Sequence, residues 1–197
     1  MSQTDAFLTP LSLAGAFILK PRRIGDDRGW FCEHWNARRL SEASGLDIAF
    51  VQDNLSFSAT AGTLRGLHYQ APPRAQGKLV STITGTVTDV IVDVREGSPT
   101  FGRHAAVELS GENGLQLWVP PGFLHGFVTR TDNVHMLYKV TDYYSAEHDG
   151  SIAWNDPDLG IDWGVRDPVL SDKDAKAPRL GERGTIFPEA GFPEGWE

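Results

Sequence analysis

Between residues 51 and 144 the chain runs as short stretches rich in β-branched and aromatic residues, each bounded by turn signals. The stretches at 79–84, 87–94, 104–109, 115–119 and 134–141 all have strand length. Gly97-Ser98-Pro99, Gly111-Glu112-Asn113-Gly114 and Pro120-Pro121-Gly122 punctuate them. Gly85-Thr86 predicts a two-residue hairpin turn between the first two. Many short strands at this spacing predict a β-sandwich or jelly roll, not a β-α-β fold. The helical period is scarce. Residues 37–44, stopped by Gly45, predict one short helix. Ser171 with Asp174 three positions on resembles a capping box at the start of another. Residues 181–197, rich in Gly, Pro and Glu, are expected to form a surface tail. No repeat, low-complexity segment or linker divides the chain. The expectation is one domain over residues 1–197, with its core at about 15–180.

Composition narrows the class of function. The length of 197 residues with 40% hydrophobic content suffices for one sizeable core. Twenty-one glycines and 12 prolines agree with many turns. The 26 acidic and 18 basic side chains give a net charge of −8, which argues against a general nucleic-acid or anionic-membrane surface. That balance leaves room for a local basic pocket around one phosphorylated ligand. One cysteine, Cys32, cannot close an internal disulfide and suits a reducing compartment. No run of 18 apolar residues occurs, and residues 1–10 lack the pattern of a signal peptide. The expected location is cytoplasmic.

Three segments place polar residues inside strand-like surroundings. The first is Gln52-Asp53-Asn54, followed by Leu64-Arg65-Gly66-Leu67-His68-Tyr69-Gln70. Strict alternation puts Arg65 and His68 on opposite faces, but Gly66 can mark a bulge that re-aims one of them. The second is Gln76-Gly77-Lys78-Leu79-Val80, where a lysine opens an apolar strand. The third joins residues 120–127, with His125, to residues 137–144, which hold three of the four tyrosines. Residue types alone leave plainer readings open: a hydrogen-bonded core histidine, an edge-strand lysine, and tyrosines packed by their rings. Pro120, Gly122 and His125 match the second half of a cupin metal motif, but the first half, a His-x-His pair with a spaced Glu, is missing.

Taken together, the segments resemble the dTDP-4-dehydrorhamnose 3,5-epimerase family over about residues 15–180. The matching runs are colinear. They begin with Gly25-Asp26-Asp27-Arg28-Gly29-Trp30-Phe31, Phe50-Val51-Gln52-Asp53-Asn54 and the 64–70 segment. They continue through Ala75-Gln76-Gly77-Lys78-Leu79-Val80, Ser98-Pro99-Thr100-Phe101-Gly102 and Gln116-Leu117-Trp118-Val119-Pro120. They end with Tyr138-Lys139, Tyr143-Tyr144, Trp154-Asn155-Asp156-Pro157 and Leu170-Ser171-Asp172-Lys173-Asp174.

The resemblance implies an all-β, cupin-like jelly-roll β-sandwich with a few short helices. It also implies a homodimer that shares strands, no metal or other cofactor, and a dTDP-4-keto-6-deoxyhexose substrate. A ketone at C4 acidifies the C–H bonds at C3 and C5. Epimerisation there needs a base on one face, a stabiliser for the enolate oxygen and an acid on the other face. By resemblance, His68 is the base, Asp174 orients its ring, Lys78 meets the C4 oxygen and Tyr138 is the acid. The ordinary histidine pKa, near neutrality, suits the base role.

The same resemblance assigns substrate binding. Arg65 would hold the diphosphate, and His125 the C4 oxygen or the sugar. Arg28, Glu33, Gln52 and Asn54 would contact the nucleotide, partly across the dimer. Lys173 would bind further along the substrate, and Tyr144 would stack on the thymine. Two departures stand out. Asp149 replaces a more usual Glu, and Gly164-Val165-Arg166 replaces a usual proline. The expected reaction is inversion at C3 and C5, giving dTDP-4-dehydro-L-rhamnose. Alternatives are inversion at one centre, or a sugar-nucleotide binding module without catalysis.

Overall fold

The computed structural model describes residues 6–189. Among the described residues, thirteen strands form two facing antiparallel sheets and one hairpin. β1 (Leu8–Pro10), β2 (Phe17–Leu19), β5 (Gln52–Ser58), β7 (Lys78–Thr84), β10 (Gln116–Val119) and β12 (Val134–Val140) make a six-stranded sheet, in the order β1-β2-β10-β7-β12-β5. β6 (Leu64–Gln70), β8 (Thr86–Asp93), β9 (His104–Ser110), β11 (Phe123–Thr129) and β13 (Asp149–Ser151) make a five-stranded sheet, in the order β13-β6-β11-β8-β9. β3 (Arg23–Asp26) pairs only with β4 (Gly29–Cys32). The helices are short: α1 (Ala37–Ser44), α2 (Asp172–Ala175) and α3 (Leu180–Arg183). The fold is the expected all-β, cupin-like jelly roll.

Alternation along the strands makes three apolar layers. Val80, Val87, Ile91, Leu117, Phe127 and Met136 meet between the sheets. Leu64, Leu67, Val90, Leu124 and Val128 point out of the five-stranded sheet, where Ile152, Trp163 and Phe187 cover them. Leu79 and Trp118 point out of the six-stranded sheet beneath Leu40 of α1 and Ile48. Burying faces this large against three separate covers supplies most of the drive to fold.

Two expectations need correction. Gly85 does turn, with φ +79°, but β7 and β8 lie in different sheets, so the turn is a corner and not a hairpin. A Cβ on Gly85 would lie 2.6 Å from Thr131 Oγ1 and 2.7 Å from Val134 Cγ2, so the corner packs too closely for a side chain. The core also extends past residue 180. Phe187 is 1% exposed and Arg183 donates from Nε to the Tyr69 hydroxyl at 2.7 Å, so 181–189 is not a loose surface segment. The rest of the expected tail, 190–197, lies outside the described residues. At the other end, Leu13 is already buried.

Candidate active site

Strand β6 carries the first half of the site. His68 pairs with His125 on β11, but Arg65 pairs with Phe127, so three steps on β6 face two on β11. This is the bulge that Gly66 suggested. Gly66 has φ +132°, and a Cβ there would sit 2.6 Å from Gly126 Cα. The extra residue turns Leu64, Leu67 and Tyr69 toward the outer core and leaves Arg65 and His68 on the other face. Arg65 donates to Ser58 Oγ at 3.2 Å and to the Phe57 carbonyl at 3.0 Å.

His68 Nε2 lies 2.6 Å from Asp174 Oδ1. Asp174 is 3% exposed and His68 is partly exposed. Ser171 is the N-cap of α2 and accepts from the Asp174 N–H, while its hydroxyl donates to Asp174 Oδ2 at 2.9 Å. The cap and the inward-turned carboxylate therefore coexist. Burial alone would raise the Asp174 pKa. The His68 hydrogen bond and charge, the Ser171 hydroxyl and Lys173 outweigh it and hold the carboxyl below its ordinary value. An ionised Asp174 accepts the Nε2 proton and leaves the Nδ1 lone pair of His68 available.

The opposite sheet carries the second half. Tyr138 on β12 stands between Val80 of β7 and Asn54 of β5. Burial raises its pKa, and nearby Arg65 offsets only part of this, so the phenol stays protonated. Lys78 is pulled down to about 8. Burial is the main cause, opposed by Asp149 and Asp89 and assisted by Lys173. Its ammonium has no hydrogen bond or ion pair among the described residues. Gln52 donates to Asn54 Oδ1 at 2.8 Å.

The structure adds Asp89, which sequence reasoning missed. It is fully buried, and its two oxygens lie 2.9 and 3.0 Å from His125 Nε2. An acid inside the apolar 87–94 run was the available signal. At the rim, Asp149 Oδ2 accepts from the Lys173 ammonium and from the Tyr144 hydroxyl at 3.5 Å. Arg28 and Glu33 stay outside this cluster. Arg28 pairs with Asp26 on the exposed hairpin, and Glu33 is exposed beyond it.

The site is thus a cleft between two sheets. An imidazole with a free lone pair stands on one wall. A protonated phenol and an ammonium stand on the other. Such a cleft can remove a proton from one face of a carbon acid, stabilise the oxyanion and return a proton from the opposite face.

The family profile described as dTDP-4-dehydrorhamnose 3,5-epimerase matches residues 10–182. A Pseudomonas aeruginosa protein named dTDP-4-dehydrorhamnose 3,5-epimerase is 52% identical over 175 residues, covering 88% of this chain and 96% of that one. The Legionella pneumophila structure of dTDP-6-deoxy-D-glucose-3,5-epimerase, in complex with dTDP-4-keto-L-rhamnose, is 47% identical with a TM-score of 0.84; the match covers 88% of this chain and 92% of that one. A Streptomyces bikiniensis 3′-monoepimerase in complex with dTDP-quinovose is 36% identical with a TM-score of 0.85, covering 92% of each chain.

Proposed function

The chain belongs to the dTDP-4-dehydrorhamnose 3,5-epimerase family, and we propose that it converts dTDP-4-dehydro-6-deoxy-D-glucose to dTDP-4-dehydro-L-rhamnose between the two walls of its cleft. The observation that carries this reading is the placement of His68 and Tyr138 on opposite sheets. His68 Nδ1 takes the proton from C3 or C5. The electron pair moves to the C4 oxygen, where Lys78 meets the growing charge, and His125, held through Nε2 by Asp89, contacts the sugar. Tyr138 delivers a proton to the opposite face of the carbon, which inverts it. Once His68 has released its proton to water and Tyr138 has regained one from water, repetition at the second carbon completes the reaction, and both carbons are acidified by the one ketone.

Arg65 holds a diphosphate oxygen, for which its planar donors suit. Tyr144 receives the thymine, and Gln52, Asn54, Lys173 and Asp149 line the path of the nucleotide sugar. Arg28 and Glu33 act from the partner in a homodimer. Two features support that assembly. Ile24, Trp30 and Phe31 are exposed on the isolated hairpin, and Leu55 and Phe57 are exposed on edge strand β5. Apolar patches on an unpaired hairpin and a sheet edge suit a strand-sharing interface.

Incubation with the 4-keto sugar nucleotide in D₂O, followed by NMR at C3 and C5, tests the reaction. Deuterium at both carbons with rhamno-configured product is expected. Label and inversion at one carbon alone would favour the second reading, a single-centre epimerase, which the likeness to the Streptomyces bikiniensis enzyme motivates. In the same assay, Tyr138→Phe is expected to slow inversion while exchange of the substrate proton continues. Inversion at the full rate would assign the acid elsewhere.

A further inference from the structure

Tyr143 and Tyr144 are 58% and 61% exposed, so packing does not hold their rings. The backbone beneath them is held instead, one polar group after another. Gln76 donates its amide to the Asp142 carbonyl at 2.7 Å. Gln70 donates to the Tyr143 carbonyl at 3.1 Å. The Tyr144 N–H donates to Gln52 Oε1 at 3.3 Å, and the Ser145 N–H donates to Gln70 Oε1 at 2.8 Å. Gln70 is 4% exposed and spends its second amide hydrogen on the Arg74 carbonyl. Three glutamines, Gln52 of β5, Gln70 of β6 and Gln76 of the loop before β7, thus grip four consecutive residues. Gln70 lies two positions from His68 and Gln76 two positions from Lys78.

We infer that Gln70 and Gln76 are positioning residues for nucleotide recognition: with Gln52 they lock residues 142–145 in place, so that the Tyr144 ring is ready for the base before substrate arrives. The inference rests on the reading of Tyr144 as the base-stacking residue. An exposed aromatic on a free loop would lose its conformational freedom on binding, and that loss would weaken affinity. A clamp on the backbone takes the loss at folding. It also ties the base subsite to the strands that carry His68 and Lys78, so ring and reacting carbon keep a fixed separation.

The clamp acts on binding and not on proton transfer, so its removal should divide the kinetic constants. Gln76→Met deletes one hydrogen bond at a partly exposed position. The Kd for dTDP and the KM for the 4-keto sugar nucleotide are expected to rise about fivefold, the value of one such bond. kcat and its pH profile are expected to stay within about twofold of the parent. Gln70→Glu, which sets a carboxylate against two carbonyls, is expected to raise both constants further. If that variant fails to fold, Gln76→Met alone decides the matter. The control is the same substitution in a Tyr144→Ala background, where it is expected to add nothing to the dTDP Kd. A fivefold effect that persists without the Tyr144 ring would overturn the positioning role and leave the stacking role standing, as would a fall in kcat at unchanged KM. An unchanged dTDP Kd in Tyr144→Ala itself would instead remove Tyr144 from the base subsite, and the inference with it.

Discussion

Each working side chain of the cleft is set by a neighbour that limits what it can do. Asp174 occupies Nε2 of His68 and so decides which nitrogen is basic. His68→Ala is expected to lower kcat by about 10²–10⁴-fold, the usual range for a general base, in a protein that still folds but with a lower denaturation midpoint, because buried Asp174 loses its partner. Near-normal turnover by the folded variant would assign the base elsewhere. Lys78 gives a pH signature. At about 8 its ammonium is still mostly charged at neutral pH and loses its proton just above. kcat/KM is therefore expected to fall as pH rises through about 8. Lys78→Arg keeps its charge and is expected to lose that limb at a lower rate. A limb that survives in the arginine variant belongs to another group. Lys78 and His68 were legible because each interrupts strand-like sequence, although the choice of role came from the resemblance. Asp89 was not, because an acid in an apolar run has many explanations and Asp93 interrupts the same run. Only the β8–β11 register brings Asp89 beside His125, 36 residues away in the chain.

At the scale of elements, the bulge in β6 does the work of re-aiming. Without the extra residue, Arg65 and His68 would face opposite sides of the sheet. Gly66→Ala forces a side chain onto Gly126 at positive φ. Its expected cost is about 2 kcal/mol or more, read from urea unfolding, with loss of activity in the molecules that remain folded. Full stability would show that the two strands can separate without harm. The strands themselves were legible, since runs and turns predicted five of them to within two residues at each end. The partners of those strands were less so. A Gly-Thr pair between two strands signals a reversal, but a hairpin and a sheet-to-sheet corner begin with the same local geometry. The corner at Gly85 wins through Thr131 and Val134, which meet it from over 45 residues away.

The β3–β4 hairpin, proposed above to read a partner's nucleotide, stands as a separate sheet with Arg28 paired to Asp26 at its exposed end. As a homodimer the chain would lend that hairpin to its neighbour, and two clefts would be completed together. Leu55→Asp with Phe57→Asp puts charge on the exposed edge strand. Sedimentation is expected to show a dimer for the parent and a monomer for this variant, with a raised KM from the loss of Arg28 and Glu33 in trans. A dimer that survives both charges would move the interface off β5. Nothing in the apolar pattern announced this surface. Leu55, Phe57, Trp30 and Phe31 read as ordinary strand residues until the fold leaves them outside.

The span between His68 and Asp174, 106 residues, has a consequence for the making of the protein. The strand that carries the proposed base is translated 106 residues before the carboxylate proposed to fix its tautomer. A nascent chain still short of α2 would already bury much of its inner core, yet hold a histidine free to rotate. The enzyme would therefore switch on only when its C-terminal cover is laid over the five-stranded sheet. During refolding, burial of Trp163 in that cover and the return of turnover should come together.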